Sequence, residues 1–518
     1  MNTPDEFTKT PDISIYVNLG AGILKAVTFK QIVNGLNKVG IDKDDHILVH
    51  SALSSFDKVQ GGAKTVIEAL LEVVGPQGTV VVPTFGGSGV FDPQKSGTTL
   101  GAIPAMILKS PNAFRSRHPL ASVAAIGPQA AWLIENHEKA ATAHGEGTPY
   151  FKLAKIGGKI LLLGVDQDRS TFLHTVETIA RHPYLRNKSA LYIDARGKQK
   201  KGTWKFFPGP HRNFIGLQRW MEANQLVAKA KIGSSIVQMI PMLPLLEKLL
   251  IRCKEEPGIF ISNNPNLNDG IWQKADIFRE RIGRESFKLA ADSQYSGQYL
   301  EEIIGNVRKY GIDNIMLSYI NNISWGKIEP QKRKWYLQGI KLAGLKVAAI
   351  KVPNLPDENV VNLMLEAKVN SLIIPSTCPV SEIIKIAKKG FDIYIENVGM
   401  DGDTAAKMMA SLQEKNGKMS LVFNPLEFAK AGQNPFLGTY RTKVKKFVNM
   451  IYINDGLFDG QRTLLEQGVA EIKELISIFR SRYFCGTFIL QAQNNKEFCY
   501  TAEKFFDILK ELGTCPKE

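Results

Sequence analysis

Short runs of aliphatic and β-branched residues recur through the first half of the chain, and the stretches between them space their apolar positions for helices. HILVHS (46–51), TVVVPT (79–84) and KILLLG (159–164) read as buried strands, and AKTVIEALLEVVG between the first two reads as a helix. Such strands, separated by loops and helices, predict a buried sheet in an α/β layer fold. The polar stretch NNPNLNDG (263–270) breaks the pattern and marks a domain boundary, dividing residues 1–265 from 266–518.

Beyond the boundary the alternation becomes regular. Eight strand candidates follow in order: FKLAAD (287–292), IDNIMLSYI (312–320), KVAAIKV (346–352), SLIIPS (371–376), DIYIEN (392–397), MSLVFN (419–424), VNMIYIND (448–455) and GTFILQ (486–491). Helical stretches such as GQYLEEIIGNVRKYG, QKRKWYLQGIKLAG and LLEQGVAEIKELISIFRSR lie between them. Eight strands each followed by a helix predict a (β/α)8 barrel of the TIM type.

Length supports the division, because 518 residues exceed what one hydrophobic core organises. With 44% apolar and 22% charged residues, both halves are expected to fold, and disordered and fibrous classes are excluded. The five cysteines, Cys253, Cys378, Cys485, Cys499 and Cys515, form no CxxC pair, which argues against a disulfide framework or a structural zinc site. No apolar run is long enough for a membrane span, and the start, MNTPDEFTKTPD, is polar rather than basic then apolar. The expectation is a cytoplasmic protein without a membrane partner. The net charge is +15, with about +10 in the first half, but the lysines are scattered and no nucleic-acid motif is present. The excess is therefore read as solvated surface with a share that attracts a phosphorylated cofactor, and no nucleic-acid partner is expected.

Candidate chemistry concentrates in the first half. VHSALSSFDKVQGGAKTVIEAL (49–70) is a strand, a turn of small residues and a helix start, an arrangement that frees backbone N–H groups for an anion. Equally, Gly61 and Gly62 can serve only to relieve a tight turn. FRSRHPLAS (114–122) gathers Arg115, Arg117 and His118 in a loop, either a phosphate grip or an exposed basic segment. His174 and Glu177 are three apart on a stretch expected to be helical, so they share one face. A surface pair would look the same; an imidazole oriented by a carboxylate is also a general base.

These segments, with GTVVVPT (78–84), HGEGTPYFKL (144–153) and LLLGVDQDRSTFLHTVE (161–177), occur in the order and at the spacing of the aminoglycoside 3-N-acetyltransferase family, which the chain resembles from about residue 28 to 250. The resemblance implies acetyl-CoA as cofactor and an amino-sugar acceptor. It places Ser51, Ala52, Leu53, Gly61, Gly62, Arg115, Ser116, His118 and Ser122 on the coenzyme side and makes His174 and Glu177 the catalytic pair. Thr175 between them is a candidate donor to the thioester oxygen. Antibiotic resistance is the family's name-giving activity. No cysteine precedes residue 253, so direct attack by the acceptor amine is expected rather than an acyl-cysteine intermediate. PHRNF (210–214) stands where relatives often carry acidic residues. His211, Arg212 and Asn213 there point away from a polycation and toward a neutral or anionic amino sugar. A homodimer is compatible with all of this.

The second half resembles xylose-isomerase-like barrels through YIEN (394–397), FNPLEFAKAGQNPF (423–436), YINDG (452–456) and the closing segment 465–491. That resemblance implies a metal held by carboxylates and histidines at strand ends. Glu396 and Asp455 keep matching positions, but Asn424 replaces the usual Asp, Tyr452 the usual His and Gln491 the usual Glu. Amide for carboxylate removes most of the attraction for a hard cation, so no metal is expected. The readings left open are a metal-free carbohydrate-binding or scaffolding barrel and a metal-dependent sugar isomerase or epimerase.

Overall fold

The computed structural model describes residues 26–87, 89–209, 212–262, 268–415 and 419–513, which fall into two compact units. The first comprises most of the chain up to Glu256; the second begins in earnest at Pro257 and also takes in residues 182–184, 208 and 209. The expected boundary at 265 lies outside the described residues, as do the leader, His211 and Cys515.

The first unit is built on a seven-stranded sheet. Its strands are β1 (His46–Ser51), β2 (Thr79–Pro83), β3 (Phe114–Arg115), β4 (Val123–Ile126) and β5 (Lys159–Leu163). A separate hairpin, β6 (Arg186–Ile193) with β7 (Gln199–Phe206), intervenes before the last two, β8 (Ala228–Ile232) and β9 (Ser235–Pro241). The sheet order is β3-β4-β2-β1-β5-β9-β8. Only the centre, β2-β1-β5, is parallel; the flanking strands run antiparallel.

All three sequence-expected strands of this half are those central ones, and they are buried almost throughout. The reason is local: runs of Val, Leu and Ile have apolar side chains for both faces of a strand covered on both sides. One cover is helix Phe29–Val39, opened by a capping box between Thr28 and Gln31 and closed at Gly40 with φ +94°. Its Ile32, Leu36 and Val39 enter the same core as Val66, Leu70 and Val74 of helix Ala63–Val74.

The second unit is a closed barrel of eight parallel strands: Lys288–Asp292, Asn314–Leu317, Lys346–Lys351, Ser371–Pro375, Asp392–Glu396, Met419–Phe423, Val448–Ile453 and Thr487–Leu490. The last pairs with the first, Ile489 opposite Ala290. Each lies within one of the eight sequence candidates. A helix follows each strand before the next, from Leu300–Lys309 after the first to Phe498–Glu511 after the eighth. Ala290, Met316, Ala349, Ile373, Val422, Met450, Tyr452 and Ile489 fill the interior as one apolar cluster. Barrel closure thus leaves no free edge and a packed centre, so polar chemistry is confined to the strand ends.

Candidate active site

The parallel centre of the first sheet brings two chain segments together at one end. Ser51, ending β1, is in register with Leu163, ending β5. Gly164 follows with φ +67°, and a Cβ there would lie 1.7 Å from Ser55 Oγ, so only glycine permits this approach. The chain then enters helix Phe172–Ile179, where His50 Nε2 and Thr171 Oγ1 meet at 3.4 Å across the two segments.

His174 and Glu177 share a face of that helix as their spacing requires. Nδ1 of His174 lies 2.9 Å from Glu177 Oε2, and Arg212 Nε lies 2.9 Å from Glu177 Oε1. Glu177 is wholly buried, Arg212 is 4% exposed, and the His174 side chain retains 12% exposure. Phe207 stacks on the His174 ring at 3.6 Å between centroids and 3° between planes, Phe214 meets it edge-on at 4.8 Å, and His144 lies at 5.3 Å. Burial lowers the imidazole pKa, the hydrogen bond and charge of Glu177 work against that, and Arg212 adds to the lowering. His174 is therefore neutral near pH 7, with Nδ1 committed to Glu177 and Nε2 as the basic nitrogen.

Residues 48–250 match the family model for aminoglycoside 3-N-acetyltransferase. This segment is a member of that family. Aminoglycoside N(3)-acetyltransferase III from Salmonella sp is 38% identical over 178 residues, covering 30% of this chain and 62% of the relative. Aminoglycoside N(3)-acetyltransferase IV, also from Salmonella sp, is 29% identical over 235 residues, 45% of this chain and 89% of the relative. Among solved structures, AAC-IIIb in binary complex with CoASH is similar at 25% identity and a TM-score of 0.41, covering 44% of this chain and 96% of that one. The chain thus spans 62% of the length of the type III relative.

Within the acetyltransferase-family segment, the expected coenzyme residues divide into two groups. Ser51, Ala52 and Leu53 are half-buried where β1 gives way to a short 3-10 turn. Gly61 and Gly62 have φ of +75° and +63°, and Gly62 caps helix Ala63–Val74 without any side-chain cap. The second group departs from expectation. Arg115 does not present its guanidinium to an anion; it donates to the carbonyls of Pro93 at 3.4 Å, Thr84 at 2.5 Å, Gly97 at 3.2 Å and, closest, Ser96. Those donors clamp the 93–97 loop, which the sequence could not show because the carbonyls come from a remote segment. Ser116, His118 and Ser122 are buried. Ser116 Oγ pairs with His137 Nδ1 at 2.9 Å, Ser122 Oγ with Thr84 Oγ1 at 3.3 Å, and His118 packs between Trp204 and His137 rings.

Thr175 is buried, and its Oγ1 has no protein partner among the described residues. Arg212 is a second correction, because its charge is spent on Glu177 and is not offered to an acceptor. Phe207 and His144, which wall the imidazole, were missed as site residues; HGEG in the fourth motif was the only signal for the latter.

In the second unit, Glu396, Asn424 and Gln491 do come together at the strand ends. Glu396 is paired with Lys351 at 2.7 Å and receives Asn424 Nδ2 at 3.3 Å. Asn454 Nδ2 donates to Asn424 Oδ1 at 3.0 Å and to Gln491 Oε1 at 2.9 Å, and Gln491 Nε2 donates to Asp292 Oδ2 at 2.8 Å. Asp455 does not join them: its oxygens accept from the backbone N–H groups of Gly456, Gly468 and Ala470 at 2.9–3.1 Å, a structural use. Tyr452 is buried beneath Lys351, whose Nζ lies 5.2 Å from the ring centroid. Among the described residues no group of three or more His, Cys, Asp or Glu could hold a metal ion, and no helix is long and apolar enough to cross a membrane.

Proposed function

We propose that the first unit is an acetyl-CoA-dependent N-acetyltransferase that acts on an amino group of an aminoglycoside or another amino sugar, with His174 as general base. The observation that carries this reading is the buried line Arg212–Glu177–His174, which ends in a neutral, partly exposed imidazole. An ammonium has no lone pair, so the acceptor must lose a proton before it can attack a thioester carbonyl. His174 Nε2 takes that proton, Glu177 fixes the tautomer and stabilises the imidazolium that forms, and Arg212 holds Glu177 in place.

The chain fits the coenzyme at the uncapped N-terminus of helix Ala63–Val74. Nothing lies within 4 Å of where a Gly62 Cβ would stand, which leaves room over free backbone N–H groups. Ser51, Ala52, Leu53, Gly61 and Gly62 would line that approach, and the coenzyme supplies the acetyl group as a thioester. Thr175 Oγ1, buried without a partner, is a donor for oxygen that gains charge in the transition state. Direct transfer is supported by the absence of cysteine before Cys253, whose own thiol is pushed up to about 12 by burial first and by Glu177 and Glu256 next. Since Arg212 is internal, it provides no ground for preferring an anionic acceptor. For the second unit, the strand-helix alternation supports the (β/α)8 class, with residues 266–518 as its domain.

Calorimetry with acetyl-CoA on wild type and His174→Ala, followed by thiol release with aminoglycosides and simple amino sugars, tests the proposal. Binding by both proteins with turnover lowered about 10²–10⁴-fold in the variant is expected. No coenzyme binding by wild type, or undiminished turnover by the variant, overturns it.

A further inference from the structure

The β6–β7 hairpin is strongly basic and takes no part in the proton transfer above. Residues 186–206 hold seven lysines and arginines against one acid, Asp194, whose carboxylate accepts from the backbone N–H groups of Arg196 and Lys198 at the turn. Both edges are tied to the unit by backbone hydrogen bonds, Leu191 and Ile193 to Phe91 on one side and Lys205 to Ala141 and Ala143 on the other. The hairpin's charges are therefore held in place.

Register separates its two faces. Lys188 stands opposite Trp204 and Arg186 opposite Phe206, so these four side chains share one face. That face is the packed one: Trp204 is buried, with its ring 4.4 Å from that of His118 and its Nε1 donating to the Glu138 carbonyl at 3.2 Å. Packing alone would favour an apolar side chain at position 188. Instead Lys188 is exposed, and its Nζ lies 4.6 Å from the Phe206 ring centroid. Phe206 stacks on Phe207 at 4.1 Å, and Phe207 stacks on His174. One row of rings thus runs from the lysine to the base.

The two cations over this row differ. Arg212, over Phe207, is matched by Glu177, whereas Lys188 has no ion-pair partner among the described residues. An unmatched ammonium at the rim of the site repels a polycationic acceptor and attracts an anionic one. Lys188 supplies the ground for an anionic acceptor that Arg212 does not.

We infer that Lys188 is a specificity-determining residue, which selects amino sugars that carry an oxyanion, a phosphate or a carboxylate, besides the reacting amine. The inference rests on the transferase reading of His174. The amine meets Nε2 at one end of the ring row and the oxyanion meets Lys188 at the other, where a compact ammonium serves either group. The remaining hairpin cations draw anions toward the site.

Thiol release from acetyl-CoA by the full chain tests this with glucosamine, glucosamine 6-phosphate, muramic acid and gentamicin. The second adds a phosphate to the first, muramic acid adds a carboxylate instead, and gentamicin is a polycation. For at least one anionic sugar, kcat/KM should exceed that for glucosamine by about tenfold or more, through KM, and the excess should shrink in high salt. Which sugar shows the excess identifies the oxyanion. In Lys188→Met the ratio of anionic sugar to glucosamine should fall toward unity, in Lys188→Arg it should be restored, and in Lys198→Met, at the far turn, it should persist. A merely structural lysine would slow all acceptors alike and leave the ratio unmoved. The inference fails if wild type uses glucosamine or gentamicin at least as well as both anionic sugars, or if Lys188→Met keeps the wild-type ratio. Thiol release with none of the four overturns it as well, and calorimetry then separates the causes: bound acetyl-CoA leaves the transferase reading standing, and no binding removes it.

Discussion

His174, on the helix that follows a parallel strand, and Lys351, at the end of one, each lie within 3 Å of a buried glutamate, yet their surroundings set them to opposite states. Around His174, aromatic burial outweighs the single carboxylate, which Arg212 partly neutralises, and the ring is kept neutral. Around Lys351, burial also opposes the charge, but Glu396 and Asp292 together outweigh it and hold the ammonium above its usual range. A glutamate partner alone therefore does not decide protonation; the second neighbour does. A base needs the first arrangement, whereas a fixed cation that organises hydrogen bonds needs the second.

The sharpest break of this comparison is Glu177→Gln. The amide keeps a hydrogen-bonding group beside Nδ1 but removes the charge that favours imidazolium. Thiol release should fall about 10²–10⁴-fold, in line with the loss of a carboxylate that orients a catalytic histidine. Because Glu177 raises the His174 pKa, the acidic limb of the rate profile should also move to lower pH. An unchanged limb would mean that His174 is not the titrating base.

The two units should also respond oppositely to pH. Six of the eight histidines, His46, His50, His118, His137, His144 and His174, lie in the first unit, and the barrel strands contain none. Burial lowers the pKa of His50 and His137 to about 3, and those of His118, His144 and His174 are lowered too. Unfolded histidine titrates near 6.5, so below that value the unfolded state binds more protons, and stability falls as pH drops from about 6.5 toward 3. Each pH unit between the two values is worth about 1.4 kcal/mol per ring. In the barrel the sign reverses: burial raises Asp292 and Asp455, which adds stability below about pH 3.8 that is lost as pH rises through their folded values. Lys351 contributes up to its unfolded value near 10.5, and that contribution is lost only in stronger alkali. Peptide-resolved proteolysis from about pH 7 to 4 should show the first unit opening first; barrel peptides released earlier would break the comparison.

What was legible in the sequence follows the same division. Continuous apolar strands bounded by turn residues announce themselves, so all eight barrel strands and the three central strands of the sheet were found. The flanking β8 alternates alanine with lysine, β9 is interrupted by Gln238, and the β6–β7 hairpin is rich in polar and basic residues, so none gave a comparable run. The pairing of His174 with Glu177 was legible because a helix puts positions three apart together. Lys351 and Asp292 were not singled out, and Arg212 was read as facing the acceptor rather than Glu177, because their partners are set by tertiary closure: Lys351 in KVAAIKV looks like a surface lysine until Glu396 is brought to it by the neighbouring strands. Local periodicity reveals elements and pairs within them, while pairing across elements must be built.

The smallest effect distinguishes a positioning residue from a catalytic one. Arg212 touches Glu177 and stacks over Phe207 at 5.1 Å, and its charge lowers the His174 pKa. In Arg212→Met the aliphatic body is kept and the charge removed. The acidic limb should then move to higher pH, opposite to Glu177→Gln, with a loss of about tenfold at neutral pH, or 1.4 kcal/mol. A residue that merely filled space would lower the rate without moving the limb, and one that bound the acceptor would raise KM alone. Movement in opposite directions in the two variants requires that both charges act on one imidazole, which is what a neutral His174 held between Glu177 and the Phe207 stack demands.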